Sequence, residues 1–155
     1  MAQVTLFVGS KSDVESVRPV LATLDRFGVS CHPQVCSAHR APERLKELIQ
    51  QAEAGGTQVF ICGAGLAAAL PGAVASHTGK PVIGIPLASG ALNGLDSLYS
   101  IVQMPPGVPV AAVGINAAAN AASLAVQILS LTDPALADRY ATFRREQSSR
   151  VDSFE

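Results

Sequence analysis

Five short strand-like runs, at residues 4–8, 29–35, 59–62, 82–87 and 108–115, alternate with stretches whose apolar residues recur at helical spacing. The first run, Val4 to Val8, is continuously apolar and stops at Gly9, the pattern of a strand buried on both faces. Behind it Val14, Val17, Leu21, Leu24 and Phe27 mark one face of a helix that ends at Gly28. Ser12 stands three residues before Glu15, a capping-box spacing for the start of that helix. Leu45, Leu48, Ile49 and Ala52 predict a second helix, closed by Gly55-Gly56. Further helices are expected over residues 66–77, 92–102 and 117–131, with a last one over residues 134–149.

Strict alternation of strand and helix implies a parallel sheet with right-handed crossovers and helices on both faces. The expected fold is α/β, a three-layer doubly wound parallel sheet of about five strands. With 155 residues and no internal repeat or linker, one domain over 1–155 is expected, its core spanning about residues 4–131 and its C-terminal helix about 133–149. In such sheets ligands bind beyond the carboxyl ends of the strands. The loops at residues 9–13, 37–42, 63–72 and 88–93 should therefore open onto one edge.

Composition narrows the partners. Eleven Lys and Arg against twelve Asp and Glu, without a basic run, argue against a nucleic-acid binder and require any anion to be held locally. Charged residues make up only 15% of the chain and hydrophobic ones 48%, so part of the exterior is expected to be covered by further copies of the chain. Cys31, Cys36 and Cys62 are odd in number and not in a C-x-x-C arrangement; they read as reduced buried thiols, in keeping with a cytoplasmic protein. Met1-Ala2-Gln3-Val4 enters a strand pattern without the basic region of a signal peptide, and polar residues interrupt the apolar stretch 108–131, so no membrane association is expected.

Chemistry is expected at Ser37-Ala38-His39-Arg40-Ala41-Pro42, where a strand hands over to a helix and Pro42 suits its first turn. The imidazole of His39 is a side chain able to move a proton in either direction during a reaction, and Arg40 supplies a fixed positive charge beside it. A loop histidine bonded only to backbone would look the same. Gly9-Ser10-Lys11-Ser12-Asp13 joins a strand to a helix start, where backbone N–H groups favour an anion; Ser10 offers a hydroxyl and Asp13 an acceptor for a sugar diol. Ser12 and Asp13 acting only as helix-start residues is equally compatible. The segment is neither a Walker loop nor a G-x-G-x-x-G fingerprint. Gly63-Ala64-Gly65 through Leu70-Pro71-Gly72 could line a flat pocket or serve helix-to-sheet packing. His32 and His77 read as structural or surface residues, and three scattered histidines make a metal site unexpected.

These segments, together with Asp96-Ser97-Leu98-Tyr99-Ser100-Ile101-Val102-Gln103-Met104-Pro105, closely resemble the PurE family of purine biosynthesis over residues 4–131. The resemblance implies a flavodoxin-like fold, a cofactor-free cytoplasmic homo-octamer and N5-carboxyaminoimidazole ribonucleotide mutase activity. In that reaction a carboxylate moves from the exocyclic nitrogen to ring carbon C4, through aminoimidazole ribonucleotide and CO2 held in the pocket. It further implies that Ser10, Asp13 and Arg40 hold the ribose phosphate and that His39 shuttles the proton, with Ser12, Ser37, Gly65 and Leu70 as further substrate contacts. A second branch of the family carboxylates aminoimidazole ribonucleotide directly and typically has lysine after the motif histidine; Arg40 favours the mutase branch. Many mutases carry a second histidine, in Ala-Ala-His-Leu-Pro-Gly, where this chain has Ala69.

Overall fold

A computed structural model describes residues 2–151. The elements run β1 (Val4–Val8), a 3-10 turn (Lys11–Asp13), α1 (Val14–Arg26), β2 (Cys31–Val35), α2 (Pro42–Ala54), β3 (Val59–Gly65), α3 (Ala69–Ala75), β4 (Val82–Leu87), α4 (Leu95–Val102), β5 (Ala111–Ala112), α5 (Ala118–Ser130) and α6 (Pro134–Val151). The five strands form one parallel sheet in the order β2-β1-β3-β4-β5. This is the doubly wound, flavodoxin-like arrangement expected from the alternation.

Side chains of the central strands point alternately to two faces, and each face builds its own core. Val4, Leu6 and Val8 of β1, Val59 and Ile61 of β3, and Ile83 and Ile85 of β4 pack under α1 and α5. Phe7, Phe60 and Cys62 face the opposite way, against Leu45 and Ile49 of α2, Val74 of α3 and Ile101 of α4. The Phe7 and Phe60 rings stack at 6.1 Å across the β1–β3 pair. On the α1 side Phe27 meets Tyr140 and Phe143 of α6, and Arg26 sits 4.7 Å over the Phe143 ring, which docks the last helix on its own chain. No helix among the described residues is long and apolar enough to cross a membrane.

Several element boundaries differ from the sequence expectation, each for a local reason. Glu15 does not form a capping box with Ser12; the Ser10 hydroxyl accepts from the Ser12 N–H to cap the 3-10 turn, and Glu15 pairs with Arg18. β2 starts at Cys31, not residue 29, because the Val29 N–H donates to Leu24 O and seals the end of α1 beyond Gly28 at φ +69. β2 is also an edge strand with Val35 exposed, so Cys31 is only half-buried, unlike Cys36 and Cys62. Burial pushes the Cys31 thiol up to about 11 and raises Cys36 and Cys62 as well, so all three are protonated and unreactive near neutrality.

β5 shrinks from the expected 108–115 to two residues, since Pro109 has no N–H to give and Asn116 turns at φ +58. The Val113 and Asn116 N–H groups still bond β4 carbonyls at Gly84 and Pro86, extending the pairing past the short strand. α4 begins at Leu95, three residues later than expected, because Gly94 at φ +93 breaks the chain before it; buried Ser97 then donates to Leu87 O and Gly94 O, tying the first turn of α4 to the end of β4.

The two faces close tightly enough that a methyl group is felt. A Cβ on Gly84 in β4 would lie 2.5 Å from Ile101 Cγ2 and 3.2 Å from Val110 Cγ1. Gly84→Ala is expected to destabilise the fold by about 1–3 kcal/mol through overpacking, read as a lower urea midpoint at unchanged slope.

Candidate active site

The site forms where β1 and β3, neighbours in the sheet, send their following helices to opposite faces: α1 to one, α3 to the other. Divergence at such a switch point leaves a crevice beyond the strand ends. Here it is a cavity of about 300 Å³. It is lined by Gly9, Ser10 and Asp13 after β1, by Ser37, Ala38, His39 and Arg40 after β2, and by residues 64–70 at the end of β3. The loop after β4 lies beside it: a Cβ on Gly65 would meet the Ser89 hydroxyl at 2.6 Å, and one on Gly90 would meet Leu66 Cδ2 at 2.8 Å.

After β2 the chain is anchored by the Cys36 N–H, which donates to Val8 O of β1 at 2.9 Å, and then turns through residues 38–40. The Ala41 N–H donates to Ser37 O at 2.9 Å and Pro42 opens α2, as its fixed φ favours. Within this turn the Ser37 hydroxyl accepts from both the backbone N–H and Nε of Arg40, each at 3.3 Å. Ser37 therefore aims the guanidinium, and Arg40 enters no ion pair among the described residues. His39 and Arg40 are exposed and stand at the mouth of the cavity rather than in its floor. The arrangement offers an unpaired cation and a solvent-reaching imidazole to an anionic ligand.

On the β1 side Ser10 and Asp13 line the cavity, while Ser12 does not; its hydroxyl lies 2.9 Å from Ser10 Oγ and orders it from outside. Partial burial raises the Asp13 carboxyl above its ordinary value, against the opposing pull of the Ser10 backbone and the Ser12 hydroxyl. Gly65 and Leu70 both line the cavity, the second from the first turn of α3, and Ala69 beside it contributes only a methyl group.

The loop after β3 differs from its expected form. β3 runs on through Gly63 and Gly65, paired with Val8 of β1 and Leu87 of β4, and the helix begins at Ala69 instead of residue 66. Gly63 is needed where α1 crosses the strand: a Cβ there would fall 2.7 Å from Val17 Cγ1. Between strand and helix, Leu66 at φ +53 and Ala68 at φ +40 adopt left-handed backbone, which helical periodicity does not reveal. Leu66, Ala67 and Ala68 thus join the cavity wall, a role that the helix expected over 66–77 concealed. The remaining histidines lie apart. His32 is hydrogen-bonded to Gln34 beside a separate cavity of about 280 Å³ under the sheet edge, and His77 is exposed beyond the C-terminus of α3.

A raised Asp13 pKa means that the folded chain binds this proton more tightly than the unfolded one, so the group favours folding at low pH and opposes it once ionised. Asp13→Asn is expected to raise the denaturation midpoint at pH 7, with the gain vanishing as pH falls below the ordinary carboxylate range. Urea titrations across pH 3–7 measure this.

Comparison with known proteins places these features in a family. A sequence model described as AIR carboxylase matches residues 3–150. An N5-carboxyaminoimidazole ribonucleotide mutase of Pyrococcus abyssi is 50% identical over 146 residues, covering 94% of this chain and 84% of that one. The mutase of Saccharolobus solfataricus is 49% identical over 151 residues, covering 97% and 96%. Among solved structures, that of Treponema denticola PurE superposes with a TM-score of 0.88 at 30% identity, covering 96% of this chain and 92% of that one. With its residues 3–150 matched and its fold in agreement, this chain belongs to the AIR carboxylase, or PurE, family.

Proposed function

We propose that this chain is an N5-carboxyaminoimidazole ribonucleotide mutase, converting its substrate to 4-carboxy-5-aminoimidazole ribonucleotide in purine biosynthesis. The observation that carries the reading is the near-full-length similarity, 45–50% identity, to mutases from archaea and bacteria. The His39–Arg40 pair at the mouth of a strand-end cavity supplies the chemistry. The reaction is an isomerisation: the N–C bond of the carbamate breaks to give CO2, a C–C bond forms at C4, and the proton lost from C4 replaces the carboxylate on nitrogen. One imidazole suffices for such a transfer, and with Ala69 in the wall that work falls to His39.

Ser10, Asp13 and Arg40 are assigned to the ribose phosphate. Arg40 supplies the charge, the Ser10 hydroxyl a donor, and Asp13 an acceptor for the sugar. Ser37 contributes by aiming Arg40 and Ser12 by ordering Ser10, while Gly65 and Leu70 shape the wall near the base. Both hydrophobic clusters share one sheet, which supports reading the chain as a single domain. The free thiols support a reducing compartment, the cytoplasm.

Octameric assembly is the further part of the reading. Leu92, Leu95, Tyr99 and Val102, spaced three and four residues apart, form an exposed apolar stripe along α4 and the loop before it, the kind of surface that copies of a chain cover. Light scattering is expected to give eight times the 15.9 kDa chain mass, and a Leu95→Glu, Tyr99→Glu double variant a smaller species.

The assay offers purified protein either N5-carboxyaminoimidazole ribonucleotide or aminoimidazole ribonucleotide with bicarbonate. Faster turnover of the first is expected; faster turnover of the second would make the chain a direct carboxylase. His39→Asn is expected to lose on the order of 10²-fold or more in kcat while still binding the product in calorimetry. Full turnover by that variant would remove His39 from the mechanism.

A further inference from the structure

We propose that Leu66 is the side chain that keeps CO2 from escaping between the two halves of the reaction, an inference that rests on the mutase reading above. Leu66 lines the cavity yet is 54% exposed, so it sits on the rim between the pocket and solvent. Its backbone is at φ +53, a conformation that leucine rarely adopts and glycine adopts freely. A large apolar residue there adds strain and exposed apolar surface, and neither helps folding.

Its position explains what it does. The Leu66 side chain reaches toward Gly90 in the loop after β4, where any Cβ would come within 2.8 Å of Leu66 Cδ2. Gly90 is itself at φ +67, so two left-handed residues on adjacent loops meet with one side chain filling the gap. The neighbouring cavity wall is Ala67, Ala68, Ala69 and Leu70, which carries no side-chain hydrogen-bonding group. Carbon dioxide is small, linear and without net dipole; an apolar compartment holds it without offering it water, and a bulky rim residue slows its exit. The transient pair of CO2 and aminoimidazole ribonucleotide then recombines at C4 faster than it separates.

The test is the partition of the carboxylate. Wild-type protein and variants turn over N5-carboxyaminoimidazole ribonucleotide in 13C-bicarbonate, and the enzyme-free breakdown rate is subtracted. For wild type the product carboxylate is expected to carry essentially no label. Leu66→Ala is expected to release roughly tenfold more free aminoimidazole ribonucleotide per turnover and to introduce label into the product. Leu66→Met, close in volume, should restore the wild-type partition. Leu66→Gly, which relaxes the backbone, should leak like Leu66→Ala while melting no lower than wild type, so a folding defect in one variant cannot mask the result. An unchanged partition in a folded Leu66→Ala or Leu66→Gly protein would overturn the inference. Failure of wild type itself to turn over the substrate would instead defeat the mutase reading, and the two failures are distinguishable.

Discussion

The parallel pairing of β1 with β3 is the interaction on which the rest of the molecule depends. It buries Val4, Leu6 and Val8 against one layer of helices and Phe7 against the other, so both cores are anchored on the same two strands. It also sets the place where chemistry can happen. Because α1 and α3 leave this pair on opposite faces, the loops beyond Val8 and Gly65 diverge, and the crevice between them is a by-product of satisfying the sheet. Gly63 permits the pairing to coexist with α1, since Val17 occupies the space that any side chain would need.

Around that crevice, charged and apolar groups are segregated. Arg40, held by Ser37, stands at the mouth and enters no ion pair among the described residues, and Asp13 in the loop after β1 is partly desolvated. The β3–α3 wall between them is apolar. A cation, a carboxyl group and an apolar wall thus lie within one cavity. His39 lines the same cavity and is exposed to solvent.

The unusual backbone is concentrated beside the same site. Leu66, Ala68, Gly90, Asn93 and Gly94 all have positive φ, in the two loops that follow β3 and β4. Non-glycine residues in this region cost on the order of 1–2 kcal/mol each, and such strain persists only where the surrounding structure over-determines it. Here the extended β3, the Ser97 bonds to Leu87 and Gly94, and the Leu66–Gly90 approach supply that constraint.

Much of this was legible in the chain itself. Alternating apolar runs and helical periodicities determine a doubly wound parallel sheet, and the order of motifs Gly9 to Asp13, Ser37 to Pro42 and Gly63 to Gly72 determines which loops share an edge, because side-chain period and crossover handedness are local properties. Residue type and loop position alone single out His39 and Arg40 as candidates, and both line the strand-end cavity. Tertiary structure decided what depends on neighbours distant in sequence: that β3 continues through Gly65 because β1 and β4 flank it, that β5 is a two-residue edge, and that Ser37 is committed to Arg40. It also decided that Leu66 and Ala68 turn left-handed to wall the cavity where periodicity alone predicts a helix. Backbone conformation in a loop is set by what the loop must pack against, and no local pattern encodes that contact.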